Sequence, residues 1–600
     1  MAVLAVMLTG PQLLPFLEVK NMTTRAGEAS YDRMVSCALR AEHLLEMVVP
    51  DVFGNPSKHE TFDLRTRSMQ PIEARRGADF YAYGTKNYNE NGFYLGLLPL
   101  GLMVIGLFAR GRYRWFLIGL LVLSLLLAFG TRLYVVFYYA VPGFEQVRTP
   151  FRWMFPATFA VCCLAAMGAQ HWFAATGRGP RAEGRGEETG DTVSPSGSRL
   201  SRIVGVILIA VPVALALTLL FLIAFPSPAH HLAERALESV PRLSQGNGFL
   251  DAWDLAGFMW ANAMRFSLFA LAAAAVIALP LLKTWRPRAT AVAGLFCLIL
   301  IAADPLQANG RFMTQADPGW LDRVPPAVEF LRSDSGTFRI ARFGRRMVLH
   351  PNLPMIYGLQ DTGGYDSIIL AEYARYVDAI EPQRALWYNQ IVGFEDPASL
   401  DSPLLSLLNI RYLLVDPSDE IDHPDWELVF SEGVKIYRNK RESARAFMVH
   451  QVESVTSFDE AIERLVSEHP GPARTVVENA PDSLTRPVAF PANSEGVKIT
   501  RYAHTAVELT ASSSVSGVVV LCDMICPGWR AYVDGRPADI LRVNGIFRGV
   551  AVPAGQHSVA FRFEPASLRN GLILLCLGLL AVGGCVAVSC LPSRRKCERS

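Results

Sequence analysis

The sequence predicts a polytopic α-helical membrane bundle of about eight spans, joined to an extracytoplasmic α+β domain that ends in an antiparallel β-sandwich. Three observations carry this. Apolar runs approach the length of a membrane crossing, Lys and Arg fall on alternate connections between them, and hairpin dipeptides recur at short intervals near the C-terminus. Composition agrees: of 600 residues, 51% are apolar and 19% charged, with mean hydropathy +0.24, whereas a soluble domain carries about 25% charge. A net charge of +2 provides no general basic field, so no nucleic-acid partner is indicated. The apolar content excludes global disorder.

A crossing needs ~20 mainly apolar residues. Runs near that length stand at Ala2–Phe16, Phe93–Ala109, Trp115–Phe129, Phe155–Phe173, Ile203–Phe225, Phe266–Leu282, Ala289–Ala303 and Gly571–Leu591. The first has no basic n-region and no A-x-A site, so it reads as a span and not as a signal peptide. Leu133–Val141 is too short to cross; its tyrosines suit an interfacial or re-entrant segment. Four connections (110–114, 174–202, 283–288 and 592–600) hold 15 Lys or Arg in 49 residues, against 6 in 65 for 130–154 and 226–265. The positive-inside rule makes the rich side cytoplasmic. The expected layout is a bundle over 1–303 with an outward loop at 17–92 and a Gly/Arg/Ser-rich cytoplasmic linker at 174–202. An extracytoplasmic α+β domain follows at 304–490, a β-sandwich at 491–570, a last span at 571–591 and a basic cytoplasmic tail at 592–600.

In the outward module, Ser457 with Glu460 three residues on forms a capping box that opens a helix to about Glu468. Ala371–Ile380 reads as a helix, and Arg411–Val415 and Gly433–Tyr437 as strands. Asp534-Gly535 and Asn544-Gly545 favour type I′ turns, separating strands at Trp529–Val533, Pro537–Val543 and Ile546–Ala551. Ala554-Gly555 turns into Gln556–Phe563, and Val497–Tyr502, Thr505–Thr510 and Gly517–Asp523 are earlier strands.

There is no CxxC, HExxH, Walker A or G-x-S-x-G sequence. Cys522 and Cys526 are placed to pair if oxidised or to serve as two small apolar residues. The acidic set Asp416, Asp419, Glu420, Asp422 and Asp425 lacks EF-hand spacing and reads as a solvated turn. His230 and His231 are adjacent, so their side chains are expected to diverge.

The runs Cys526–Trp529 (CPGW), Val533–Gly535 (VDG), Asn544–Phe547 (NGIF), Val552–His557 (VPAGQH) and Phe561–Pro565 precede a last span. Together with Pro50–Gly54 (PDVFG), Gly143–Arg152, Gly363–Ser367 (GGYDS) and Leu404–Val415, they resemble YfhO-type bacterial membrane proteins. The resemblance implies a polytopic glycosyltransferase of the GT-C type in the bacterial inner membrane. It implies a polyprenyl-phosphate-linked sugar as donor, a cell-envelope polymer or glycolipid as acceptor, and reaction at the outer face. Family members carry further spans ahead of the point where this chain starts, and an outward aspartate just after the first span. The residues after Phe16 (LEVKN) hold no such aspartate motif, so the catalytic residue is left unassigned. The alternative reading is a non-catalytic envelope scaffold or glycan-binding protein.

The donor phosphate calls for fixed cations. Arg148 and Arg152 flank Pro150 at the start of a span, where Thr149 is expected to cap the helix. Further candidates are Arg25, Tyr31, Asp304 and Asp366. Asp304 closes a span, where it would hold a metal or hydroxyl or simply stay hydrated; Asp366 lies in the turn DTGGYDS with Asp361 and Tyr365. Trp529 and Tyr532 are sugar-stacking or core aromatics. No cofactor is identified; enzymes with lipid-phosphate donors can use a divalent ion, but no ligand set is named.

Overall fold

A helix falls on each of the eight apolar runs in the computed structural model. The structure describes residues 2–26, 30–52, 55, 60–71, 93–141, 144, 149–175, 195–240, 243, 249–278, 287–310, 316–320, 322–386, 389–468, 474–486 and 496–590. The apolar helices are α1 (Ala2–Leu8), α2 (Gly10–Val19), α3 (Leu97–Gly106), α4 (Arg114–Ala128), α5 (Leu133–Ala140), α6 (Met154–Ala175), α7 (Pro195–Ala224), α9 (Ala252–Ala278), α10 (Pro287–Asn309) and α11 (Ala566–Cys590), with the amphipathic α8 (Ser227–Ser239) following α7. Three spans, Pro150–Trp172, Ala252–Ala278 and Ala566–Ala587, are long and apolar enough to cross a membrane. Counting α4 with α5 (bent 84°) and α7 with α8 (bent 99°) as one span each makes five among the described residues, not eight. Among the shorter helices, the ten residues of α3 rise only about 15 Å.

The chain forms two compact units, residues 29–316 and residues 1–28 with 317–600. In the 29–316 unit, glycines let helices meet backbone to backbone. A Cβ on Gly106 would lie 2.0 Å from the Leu164 carbonyl, and one on Gly168 would lie 1.9 Å from that of Leu102. Within lipid, where apolar burial between helices gains little, such close contact is a main source of association. The Trp172 indole donates to the Ile277 carbonyl at 3.0 Å, tying α6 to α9. A short hairpin, β1 (Glu60–Asp63) with β2 (Ser68–Pro71), packs on α9, because Gly257 leaves room for the Phe62 carbonyl.

The other unit holds α1, α2 and α11, which meet at Gly10 and Gly571. It also holds β3 (Arg339–Phe343), β4 (Gly364–Tyr365), β5 (Gln390–Ile391), β6 (Ile410–Val415), β7 (Trp426–Ser431), β8 (Lys435–Asn439), β9 (Ala446–Val449), β10 (Gln451–Val455) and β11 (Arg474–Glu478). β12 (Gly496–Ala503), β13 (Ala506–Ser513), β14 (Gly517–Met524), β15 (Trp529–Val533), β16 (Arg536–Ala538), β17 (Leu541–Val543), β18 (Phe547–Val552) and β19 (Gly555–Phe563) follow. A four-stranded sheet runs β3-β6-β8-β7, a six-stranded one β10-β11-β17-β18-β14-β9 and a five-stranded one β12-β13-β19-β15-β16.

β14 explains how the larger sheets stack. Its run Gly517–Asp523 is buried throughout. Alternate side chains face opposite ways, so Val518, Val520 and Cys522 join one core cluster while Val519 and Leu521 join another. The second cluster is completed by Val507, Leu509, Val559 and Phe561 of the five-stranded sheet. The six-stranded sheet also takes strands from residues 446–478, so its hydrogen bonds cross the expected boundary at 490.

The helices at Ala371–Ile380 and Phe458–Glu468 stand as expected. The Ser457 hydroxyl accepts from the Glu460 amide at 3.2 Å, but the Glu460 carboxylate reaches back to Thr456 instead of Ser457. Asp534, Gly535, Asn544 and Gly545 all have positive φ; Val533 pairs with Arg536, the two-residue loop of a type I′ turn, whereas Val543 pairs with Phe547, so the second turn is a three-residue loop that takes in Ile546. The run Pro537–Val543 is not one strand: β16 pairs with β15, and β17 with β18 in a different sheet. The expected linker at 174–202 is helical from Pro195 onward.

Gly168→Leu should prevent α3 and α6 from meeting and abolish a monodisperse folded peak in detergent chromatography. Gly119→Leu, whose Cβ position meets nothing within 4 Å among the described residues, should leave that peak intact. At the hairpin turn, a hydrogen bond to Asp534 raises the His557 imidazole above its ordinary 6.5, and the same bond lowers the Asp534 carboxyl below 3.8. The pair should therefore stabilise fully only between those values. Its contribution should fade as pH rises through the raised His557 value, and as pH falls through the lowered Asp534 value. His557→Gln should flatten that pH dependence in a melting series.

Candidate functional site

In the 29–316 unit, Pro226 stands at the break between α7 and α8, whose 99° bend opens a groove against α9 and the segment Arg40–Val52. Its volume is about 600 Å³. The wall is apolar: Leu219 and Leu222 of α7, Leu232 and Ala233 of α8, and Leu255, Met259 and Trp260 of α9. The polar exceptions are Arg40 and Glu42, which are paired with each other. The Trp260 indole donates to the Leu219 carbonyl at 3.1 Å and its ring stacks on Phe62 at 4.5 Å, holding one side of the groove.

Behind that wall lies a buried polar layer. Asp51, next to Val52 of the groove, is 1% exposed. Its Oδ1 accepts from Asn55 Nδ2 at 2.7 Å, and its main-chain oxygen accepts from Asn262 Nδ2 of α9 at 3.2 Å. His43 and Glu46 form a second buried pair at 3.2 Å. A long apolar slot with a cation and a carboxylate in its wall can take an extended lipid chain and present its head to Arg40 and Glu42.

Asp304 forms the other polar cluster of this unit. Its carboxylate accepts from Tyr94 Oη at 2.8 Å, from the Leu97 amide at 2.9 Å and from Arg265 Nη2 at 3.0 Å. At 2% exposure it neither ends its helix nor stays hydrated; α10 runs on to Asn309. Gly96, at φ +90, brings the chain against this carboxylate. Arg265 was expected to end a loop, with a span starting at Phe266. Instead α9 begins at Ala252 and Arg265 sits in mid-helix, because Asp304 neutralises it.

The other anticipated residues disperse. Arg148 lies outside the described residues. Arg152 is exposed in a 3₁₀ turn, Pro150–Trp153, that precedes α6, and Thr149 makes no side-chain cap. Tyr31 packs against Tyr138 at 5.6 Å between ring centres. In the other unit, Arg25 donates to Asn389 Oδ1 at 3.2 Å, and Asp366 accepts from the Ile368 amide at 2.8 Å in a local turn. Asp361 is ion-paired to Arg342 at 2.9 Å, and burial still pushes its carboxyl upward. Tyr365 is exposed, and Tyr532 donates to Glu564 at 3.1 Å. Cys522 and Cys526 are free thiols; burial pushes Cys522 up to about 12. In the acidic loop, Asp416 caps Ser418 and Glu420 pairs with Lys435. His230 and His231 do not diverge: with Glu234 their nitrogen and oxygen atoms lie within 4.8 Å of one another on the outer face of α8, although the His230 ring also packs at a tilt against Trp253.

Sequence reasoning missed Arg40, Glu42, Asp51 and Arg265. Asp51 lay within the quoted PDVFG run, and Arg265 stood as a lone cation beside an apolar stretch, the pattern of an intramembrane functional or paired charge.

Residues 490–575 match a family model described as Bacterial membrane protein YfhO. The match spans β12 to β19 and the first turns of α11 and takes in the runs from Cys526 to Pro565; those at Pro50–Gly54, Gly143–Arg152, Gly363–Ser367 and Leu404–Val415 lie outside it. No curated protein and no solved structure matches the chain.

Arg265→Leu should strand the Asp304 carboxylate in an apolar site and cost about 3–5 kcal/mol. Pairing it with Asp304→Leu should recover most of the loss in thermal unfolding of detergent-solubilised protein.

Proposed function

We propose, with the YfhO-type match as premise, that this chain is a multi-pass protein of the bacterial inner membrane and a glycosyltransferase of the GT-C type. It transfers a sugar from a polyprenyl-phosphate donor to an envelope polymer or glycolipid at the outer face. In this reading the eight apolar runs are eight crossings, the C-terminus is cytoplasmic, residues 304–570 are extracytoplasmic, and the five- and six-stranded sheets form a β-sandwich. The observation that carries the proposal is the apolar groove with Arg40 and Glu42 in its wall. The polyprenyl chain lies along Leu219, Leu232 and Met259 while Arg40 holds the phosphate.

In the transfer, the anomeric carbon–oxygen bond to phosphate breaks and its electron pair leaves on the phosphate. The acceptor hydroxyl oxygen bonds to that carbon, and its proton passes to Glu42. Asp51, buried behind Val52, positions the loop. Arg152, with Arg148, is a second cationic pair for the donor phosphate.

A second reading is favoured by the position of the family match, which falls on the C-terminal module. It is a non-catalytic scaffold that presents the module to envelope glycans or to a separate catalytic subunit.

In proteoliposomes given a labelled polyprenyl-phospho-sugar, Glu42→Gln should lower transfer by about 10²–10⁴-fold, and Arg40→Ala should weaken donor use. Unchanged transfer in both variants removes the groove from the reaction, and no transfer by the wild-type protein favours the scaffold. For orientation, Glu432→Cys, in the exposed turn between β7 and β8, should react with an impermeant maleimide on intact spheroplasts. Labelling only after permeabilisation reverses the sidedness.

A further inference from the structure

In the unit of residues 1–28 and 317–600, three arginines converge on a single carboxylate. Asp523 Oδ1 accepts from Arg339 Nη2 and Arg445 Nη1, each at 3.0 Å, and Arg548 Nη2 lies 3.1 Å from Oδ2. The Tyr502 hydroxyl donates to the same carboxylate at 2.9 Å. These groups come from β3, the approach to β9, β18, β14 and β12, so a cluster this far apart in sequence is assembled only by the stacked sheets.

The charges do not balance. Three guanidinium groups face one carboxylate, an excess of two positive charges, and Arg445 and Arg548 are each only 3% exposed. Neutral acceptors relieve part of this: the Leu408 and Cys522 carbonyls take Arg339 Nη1, and Gln360 Oε1 takes Arg445 Nη2. Among the described residues, Arg445 Nε and Arg548 Nη1 have no hydrogen-bond partner, and both are buried. An unpaired buried donor on a charged group is costly, and a buried excess charge more so. Burial lowers both guanidinium groups from their ordinary value, and for Arg445 the neighbouring Arg339 charge adds to it. The Trp529 ring, in the CPGW run, lies 3.8 Å beneath Arg548 and keeps that guanidinium flat and in place. The cluster is reachable at one edge, where the side chains of Arg339 and Asp523 are 17% and 11% exposed.

We propose that Arg339, Arg445 and Arg548 form a phosphoryl-binding site, in which a phosphate group supplies the negative charge that Asp523 alone does not. Two or three planar guanidinium forks around a tetrahedral oxyanion are the arrangement arginine favours for phosphate. The source is either a free or polymer-borne phosphate or a lipid phosphate. The cluster lies close to the start of α11: Glu564 donates its amide to the Gly528 carbonyl at 2.7 Å, one residue from Trp529. The site is independent of the groove and of the transfer reaction proposed above.

The test uses the full chain in phosphatidylcholine nanodiscs, followed by tryptophan fluorescence during heating. Inorganic phosphate, compared with chloride at equal ionic strength, should raise the melting temperature saturably, by about 5 °C at a hundredfold excess over Kd. Arg548→Gln and, as the more exposed alternative should that variant fail to fold, Arg339→Gln should each remove the shift. Asp523→Asn, which increases the excess positive charge, should lower the half-saturating phosphate concentration severalfold. Nanodiscs containing phosphatidylglycerol distinguish the sources. If lipid phosphate fills the site, they raise the melting temperature and remove the response to inorganic phosphate; if the response persists, the ligand is a free or polymer-borne phosphate. A wild-type protein that folds yet shows no saturable shift with phosphate or phosphatidylglycerol overturns the proposal. So does a shift retained in both arginine variants.

Discussion

A carboxylate withheld from water and gripped by arginine is the interaction on which both units depend. In the 29–316 unit, Asp304 joins Arg265 of α9, the Tyr94 hydroxyl and the first amide of α3, so three chain segments converge on one charge. In the other unit, Asp361 pairs with Arg342 of β3, and Asp523 gathers Arg339, Arg445 and Arg548. Each pair fails if either partner is lost, because the remaining charge is stranded in a medium that solvates it poorly. That asymmetry makes them specific, since only one arrangement of the helices or sheets satisfies them.

Around these fixed points the two units solve different packing problems. Helices in lipid gain little from apolar contact with each other, so α3 and α6 rely on Gly106 and Gly168 to bring backbones together. The sheets gain from excluding water, and the six-stranded sheet does so on both faces, with alternate residues of β14 entering separate cores. The groove in the 29–316 unit follows from a local failure of helical continuity: Pro226 stands where α7 breaks into α8, and the turned-away α8 leaves an apolar slot beside α9.

The candidate site was legible only in fragments. PDVFG marks the segment that carries Asp51, yet nothing in that run shows that its carboxylate is buried behind the wall of a groove. Arg148, Arg152, Arg25, Tyr31, Asp304 and Asp366 were chosen by residue type and position. Of these, Tyr31 is spent in packing, Asp366 in a local turn and Asp304 in an ion pair. Arg40 and Glu42 had no motif to announce them; they line the groove only because the bent helix pair passes close by.

By itself the sequence determined what depends on neighbours along the chain. This covers the location of the apolar helices, the cap that Ser457 gives its helix, the hairpin turns at Asp534 and Asn544, and the likeness carried by CPGW and NGIF. These follow from periodicity, backbone preference and turn chemistry, all local. Tertiary structure alone decided that Pro537–Val543 divides between two sheets, that β9 to β11 complete the sheet of β14, that Arg265 lies inside a helix, and that three distant arginines share Asp523. Each of these depends on charge pairing or strand partnership between residues tens to hundreds of positions apart, and no local preference encodes that choice.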